Sequence, residues 1–267
     1  MNIQDLYIYP VKSLGGIRIG QGKALQKGFE FDRRLMLVDE NGVVITQRDE
    51  NSLALLSTEV FSNAVRITNR LTEESIQIPV NAAIKEPIQV NVWDDIVQSL
   101  HLNDEIDEWF SNYLKKTVQL VYQPENFQRP LDSKYAFNDE QVSFADAFPY
   151  LLISQASLDE LNSRLNKSVP MNRFRPNLVI SGTTPFEEDT WNEIQIGDVR
   201  FKVAKPCARC VLTTVDQETG IKGNEPLNTL AKYRTVDNKV MFGQNLIALN
   251  EGIITVGDKV EILSTKP

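Results

Sequence analysis

Both cysteines of this 267-residue chain lie in one stretch, Lys205-Pro206-Cys207-Ala208-Arg209-Cys210-Val211-Leu212-Thr213-Thr214. Lys205 and Arg209 accompany them, and neighbouring cations favour thiolate over thiol. Three chemistries are open to such a pair. The thiols can be ordinary reduced cysteines packed as small apolar groups. They can form a Cys-x-x-Cys dithiol of the thioredoxin kind, although that motif normally opens a helix, whereas the apolar, β-branched run Val211 to Val215 reads as a buried strand. Or a single thiolate can ligate a metal. Two cysteines and the lone His101 cannot close a four-ligand zinc site, so such a metal would be soft and would bring its own chelating group. Pro206 interrupts a simple strand, which places the thiols on a loop entering the core.

The other candidates are basic. Lys12-Ser13-Leu14-Gly15-Gly16 is a basic turn with free backbone amides, open to holding an anion or to being a plain turn. Arg33 and Arg34 are adjacent in a β-prone stretch, so either one faces inward or both are solvated. Arg173 and Arg175, in Asn172-Arg173-Phe174-Arg175-Pro176-Asn177, precede an apolar strand and are either surface charges or cleft residues. His101 lies outside every motif and reads as structural.

The whole chain is acidic. Twenty-eight Lys and Arg stand against thirty-six Asp and Glu, a net charge of −8 at pH 7, which speaks against a nucleic-acid polymer as partner. Hydrophobic residues make up 42%, enough for one large core or two small ones. Two cysteines do not make a secreted disulfide scaffold, so a reducing compartment is expected. Met1-Asn2-Ile3-Gln4-Asp5 is no signal peptide, and no apolar run approaches the roughly 20 residues needed to span a bilayer. The expectation is a soluble cytoplasmic protein with no membrane partner.

Short strands dominate the pattern. Ile3, Leu6, Ile8 and Val11 lie in a β-prone stretch stopped by Pro10; Ile17 to Ile19, Leu35 to Val38, Ala64 to Ile67, Ser75 to Ile78, Ile88 to Val92 and Ile96 to Leu100 are β-prone too, and Asn41-Gly42 signals a hairpin between Leu35–Val38 and Val43–Thr46. Asn103 caps a helix whose stripe is Ile106, Trp109, Phe110, Tyr113 and Leu114. Gln123 to Pro130 is polar and carries two prolines, so a domain boundary or long connection is placed there. Ser157-Leu158-Asp159-Glu160 reads as a capping box. Leu178 to Ser181 is a strand, Ile194 to Phe201 a hairpin, and Pro226 starts a short helix. Phe242-Gly243-Gln244-Asn245 opens the strand Leu246 to Leu249, and Ile253 to Leu263 reads as a closing hairpin. The sum is a β-dominated fold, a barrel with attached helices.

Tyr9-Pro10-Val11-Lys12-Ser13, Arg173-Phe174-Arg175-Pro176-Asn177, the cysteine stretch and Phe242-Gly243-Gln244 together resemble the MOSC family, named for the C-terminal domain of molybdenum cofactor sulfurase. The first motif resembles the N-terminal β-barrel domain of one branch, which includes the mitochondrial amidoxime-reducing component and bacterial proteins that detoxify N-hydroxylated bases. The resemblance implies a mainly β fold with helices (α+β), an N-terminal β-barrel-like domain over 1–122 and a MOSC β-barrel domain over 123–267.

It further implies binding of the molybdenum cofactor (Mo-molybdopterin). Cys210, directly before the Val-Leu-Thr-Thr run, matches the metal-ligating, catalytic cysteine, and Cys207 matches a cysteine that is not the ligand. Lys12, Ser13, Arg33, Asp146, Arg175, Asn177, Arg209 and Asn245 match cofactor-binding positions. Arginine suits a phosphate through paired donors, and an Asn amide suits a pterin edge. The implied activity is reduction of small N-hydroxylated compounds such as amidoximes and hydroxylamino purines. The alternative in the family is a molybdenum-cofactor or sulfur carrier without reductase activity. The four cysteines of a fused ferredoxin-like domain and the membrane anchor of the mitochondrial relatives are missing, so electrons are expected from a separate protein of flavin reductase or ferredoxin/cytochrome type. A family-level association with pyridoxal phosphate also comes with the resemblance.

Overall fold

A computed structural model describes residues 1–61, 64–79 and 87–266. In chain order the first half holds β1 (Asn2–Ile8), β2 (Ile17–Ile19), β3 (Gln21–Leu25), β4 (Gly28–Phe29), β5 (Leu35–Asp39), β6 (Leu56–Phe61), β7 (Ala64–Asn69), β8 (Ser75–Pro79), β9 (Pro87–Val92), β10 (Asp95–His101), α1 (Asp104–Leu114) and β11 (Val118–Tyr122). The second half holds β12 (Tyr150–Ser154), α2 (Gln155–Ser163), β13 (Leu178–Ser181), β14 (Trp191–Ile196), β15 (Val199–Ala208), α3 (Leu227–Ala231), β16 (Thr235–Val236), β17 (Lys239–Ala248), β18 (Gly252–Thr255) and β19 (Val260–Thr265). The fold is mainly β with few helices, as expected.

The largest sheet runs β19-β14-β15-β17-β12-β13-β1-β2. It closes on itself near the termini. Ile3 N donates to Asp258 O at 2.9 Å, Val260 N donates to Met1 O at 3.1 Å, and Asn2 bridges Lys259. Inside lie Leu6, Tyr150, Leu178, Trp191, Ile194, Phe201 and Leu246, each fully buried or nearly so. The β1 strand thus belongs spatially to the C-terminal barrel. After Ile8 the chain leaves it: Lys12 N donates to Leu35 O at 2.8 Å and Val11 bridges Leu35, so residues 9–14 cross to the N-terminal sheets. Those are β5-β11-β10-β9 and β6-β7-β8, packed with α1 around Leu14, Leu37, Leu56, Ile67, Phe110 and Leu120.

The α1 cap is as expected, with Asn103 Oδ1 accepting from Ile106 N at 2.9 Å. Four local expectations change. Asn41-Gly42 makes the tight turn, with Gly42 at φ +73°, but Val43–Thr46 forms only isolated bridges to Val38 and Asn91. The α2 cap is Ser154, not Ser157: Ser154 is extended and accepts from Ser157 N at 3.1 Å, while the Ser157 hydroxyl donates to buried Glu188 at 2.8 Å. The strand after Phe242 starts earlier, because β17 already includes Lys239 to Asn245. Gly243 there has φ +81°, and a Cβ would stand 2.8 Å from Leu152 O. Finally, β18 and β19 are not a hairpin. The turn at Gly257, φ +96°, redirects the chain, so β18 pairs with β3 and β19 with β14.

Phe201 sits edge-on to Tyr150 at 5.2 Å in the barrel core and is fully buried. Phe201→Ala is expected to cost about 3–5 kcal/mol, whereas Leu263→Ala, at a 44% exposed position, should stay within about 0.5 kcal/mol. Urea midpoints at unchanged slope measure the difference, and equal losses would contradict this core assignment.

Candidate active site

A cavity of about 260 Å³ opens between the two halves. Lys12 and Ser13 come from the crossover after β1, Arg33 from the segment before β5, and Asp146 from the connection before β12. Arg175 and Asn177 precede β13, Arg209 and Cys210 follow β15, and Asn245 lies in β17. Every one of these sequence-predicted residues lines the cavity, together with Cys207, Arg48, Phe148, Leu151 and Phe174.

Three of them hold unusual backbone. Ser13, Arg33 and Arg175 have φ of +69°, +51° and +56°. Left-handed non-glycine residues cost about 1–3 kcal/mol each and collect at functional sites. Three amides of the 12–16 turn are used rather than free: Lys12 N donates to Leu35 O, Leu14 N to Val11 O and Gly15 N to Leu56 O. Gly16 is needed for a different reason, since a Cβ there would lie 2.4 Å from the Tyr9 ring. Arg34 is buried and Arg33 half-buried, so neither is a solvated surface charge. Arg33 faces the cavity, while Arg34 pairs with Glu125 at 2.7 Å and donates to Asp32 O at 3.0 Å.

The side chains are held by carbonyls and two carboxylates. Arg33 donates to Asp32 at 2.6 Å and to Arg175 O at 3.2 Å. Arg175 donates to Leu14 O at 2.6 Å, and Arg209 to Phe174 O at 2.6 Å. Lys12 donates to Phe144 O at 2.8 Å and to Asp146 at 2.5 Å. Asn177 is occupied by the fold: its Oδ1 accepts from Leu151 N and Arg33, and its Nδ2 donates to Tyr7 O. The side chain expected at a pterin edge therefore joins β1, β12 and Arg33.

The cysteine stretch differs from expectation. Pro206 lies within β15, which accommodates it by register shifts against β17. Val211–Thr214 is a 3₁₀ turn, not a strand. Arg173 explains the turn: its guanidinium donates to Thr213 O, Thr214 O and Glu225 O and pairs with Asp216 at 3.0 Å, while Thr213 N and Oγ1 donate back to Cys210 O. Those carbonyls converge on one cation only if the chain coils. Cys207 lies in β15, Arg209 N donates to Val240 O, and Cys210 beyond the strand is extended at φ −118°, ψ −179°. The Arg209 guanidinium, and not the Cys210 thiol, is the group placed against Cys207 Sγ. Both cysteines are free, and this geometry opposes the dithiol reading. Arg209 Nη1 donates to Cys207 Sγ at 3.0 Å. His101 is tied to Asp107 at 2.5 Å and does not line this cavity.

Sequence reasoning missed Arg48, which no motif marks. It lines the cavity and pairs with Asp146 at 3.2 Å. Lys12, Arg33, Arg48, Arg175 and Arg209 thus face one lining carboxylate, Asp146, in a chain of net charge −8. Nε of Arg48 and Nε of Arg209 are buried without partners. Excess cations, unfilled guanidinium donors and a soft Cys210 thiol fit an anionic ligand carrying a soft metal.

Burial pushes the Lys12 ammonium down to about 8 although Asp146 opposes this, and burial lowers Arg175 to about 10. Against desolvation, the Lys12, Arg48 and Arg33 charges hold the Asp146 carboxyl well below the usual carboxylate range.

The description MOSC N-terminal beta barrel domain matches residues 1–117, and MOSC domain matches 139–261. Mitochondrial amidoxime-reducing component 1 of Mus musculus is 35% identical over 98% of this chain and 82% of that protein. The chain belongs to the MOSC-domain family. A second MOSC relative, mitochondrial amidoxime reducing component 2 of Rattus norvegicus, is 36% identical over 97% of the chain and 82% of its own length. A solved structure, the YUAD protein from Bacillus subtilis, covers 97% of this MOSC chain and 93% of its own at 10% identity, with a TM-score of 0.44. Among the described residues no helix is long and apolar enough to cross a membrane.

Lys12 gives this MOSC site a pH signature. Between about 8 and the ordinary lysine value of 10.5, the unfolded chain holds a proton that the folded chain has released, so stability rises with pH in that window. The penalty is present in full below 8 and relieved above it. Relative to Lys12→Met, the wild-type protein should gain about 3 kcal/mol between pH 7 and pH 10.5. Denaturant titrations across that range check it, and parallel curves for the two proteins would exclude a buried, titrating Lys12.

Proposed function

We propose that this chain is a molybdenum-cofactor-dependent oxidoreductase that reduces small N-hydroxylated compounds, such as amidoximes and hydroxylamino purines. The observation carrying the reading is the cavity: cations from both halves of an acidic chain converge beside the Cys207 and Cys210 thiols, with buried guanidinium nitrogens left unpaired. The similarity to proteins named amidoxime-reducing components supports the choice of reaction. Both domains then contribute, with the division near 122/123.

In this reading Cys210 is the metal ligand, presented by the 3₁₀ turn that Arg173 holds. Lys12, Ser13, Arg33 and Arg175 bind the anionic end of the cofactor, Arg209 and Asn245 hold the part nearer Cys210, and Asn177 fixes Arg33. Asp146 keeps Lys12 and Arg48 aimed inward, since a carboxylate itself repels an anion. When bound, the cofactor supplies two-electron chemistry: the N–O bond breaks, two electrons and two protons enter, and amine or amidine leaves with water. The electrons come from a separate protein of flavin reductase or ferredoxin/cytochrome type. Both free cysteines suit a reducing, cytoplasmic setting.

The two cysteines should behave differently. Cys210→Ser replaces a soft thiolate with a hard hydroxyl and is expected to remove the thiolate–metal bond and abolish turnover, while part of the cofactor stays bound but inactive through Lys12, Arg33 and Arg175. Cys207→Ser should keep that bond and most of the turnover. Molybdenum content, pterin content and benzamidoxime reduction with a reduced dye decide the matter, and complete loss in both variants would refute the single-ligand assignment. A fully loaded protein that does not turn over, yet passes cofactor or labelled sulfur to an acceptor enzyme, would instead belong to the carrier class.

A further inference from the structure

We infer that Arg48 and Trp93 make the mouth of the cavity a reader of flat aromatic rings. On the reductase reading above, on which this rests, the substrates are aryl amidoximes and N-hydroxylated heteroaromatic bases rather than their alkyl counterparts. Neither residue belongs to the motifs that mark the cofactor site.

Arg48 is anchored from behind. Its neighbour Gln47 is fully buried, donates to Ser13 O at 2.5 Å and exchanges hydrogen bonds with Gln217. Lys222 donates to Arg48 O at 3.1 Å. The Arg48 side chain is 28% exposed, whereas Lys12 beside it is 6% exposed, so Arg48 lies nearer the mouth.

Trp93 sits at the tip of the β9–β10 hairpin with φ +58°, a conformation costly for a bulky residue. It places the indole 4.0 Å from the Arg48 guanidinium carbon and 5.4 Å from Lys12 Nζ. Arg48 lines the cavity and Trp93 does not, so the indole backs the guanidinium. An edge nitrogen, Nη2, is taken by Asp146 at 3.2 Å. The guanidinium face turned away from Trp93 is what a ligand meets.

A guanidinium whose carbon lies 4.0 Å over one ring can take a second ring on its other side, because it is planar, delocalised and weakly hydrated. Lysine, a point charge, cannot replace it there. A saturated ring of equal size buries the same apolar area but has no π face, which separates stacking from simple hydrophobic gain.

The test uses cofactor-loaded protein and two neutral amides that cannot be reduced at nitrogen, benzamide and cyclohexanecarboxamide. Equilibrium binding should favour benzamide about tenfold. Trp93→Ala should bring the preference within about twofold and leave molybdenum content unchanged, and Trp93→Phe should keep most of it. In turnover, the same loss should fall on KM for benzamidoxime with kcat unchanged. A folded Trp93→Ala protein that keeps the preference, or a wild-type protein without one, overturns the proposal. If Trp93→Ala does not fold, Arg48→Lys decides by the same criterion. Because the amides report binding alone, a protein that fails to reduce benzamidoxime but prefers benzamide would sink the reductase reading and leave the aromatic mouth standing.

Discussion

Arg33 and Arg175 share one phenol ring. Their guanidinium carbons lie 4.3 and 4.2 Å from the centroid of Tyr9, which is itself buried. Two like charges so close repel in a low-dielectric interior, and the surroundings answer that repulsion from several sides. The ring offers its electron-rich face to both cations. Asp32, fully buried, accepts from Tyr9 N at 2.8 Å and from Arg33 at 2.6 Å. The Tyr9 hydroxyl donates to Pro176 O at 3.0 Å. Burial holds that phenol well above its ordinary range, so it remains neutral. The crossover after β1, the left-handed turns at Arg33 and Arg175 and the absence of a side chain at Gly16 all serve this stack, and the cation-rich cavity is its outer face.

Much of the fold was legible because it follows from periodicity. The α1 stripe and its Asn103 cap, strands β5, β7, β8, β9 and β10 and the β14–β15 hairpin all obey local rules, whereas β6 and β11 were not read from the sequence. The site residues were legible through motifs, but their pairings were not. Lys12 meets Asp146 across 134 positions, and no local rule announces such a contact. Positive φ at Ser13, Arg33 and Arg175 leaves no compositional trace, since none is glycine. Val211–Thr214 misled because β-branched residues favour strands, whereas here the carbonyl demand of buried Arg173 outweighs that preference. Arg48 had no signal at all; its role depends on a hairpin tip far along the chain.

The turn after Cys210 is also tied to the opposite half of the molecule. Gln47 and Gln217 exchange hydrogen bonds, Arg70 donates to Gln217 O and pairs with Glu218, and Asn51 donates to Gly220 O. The thiol's position is therefore a property of both halves together, although every residue of its own stretch lies in the second.

The barrel closes where Met1 and Ile3 meet residues 257–260. The pairing of β1 there joins residues some 255 positions apart, Ile3 to Asp258. Such long-range closure raises contact order and slows folding. An unpaired β1 edge before that closure is a natural place for another chain to add a strand. The crossover that carries Lys12 and Ser13 into the cavity leaves that same strand, so the cavity's cations are tethered directly to the barrel's closing seam.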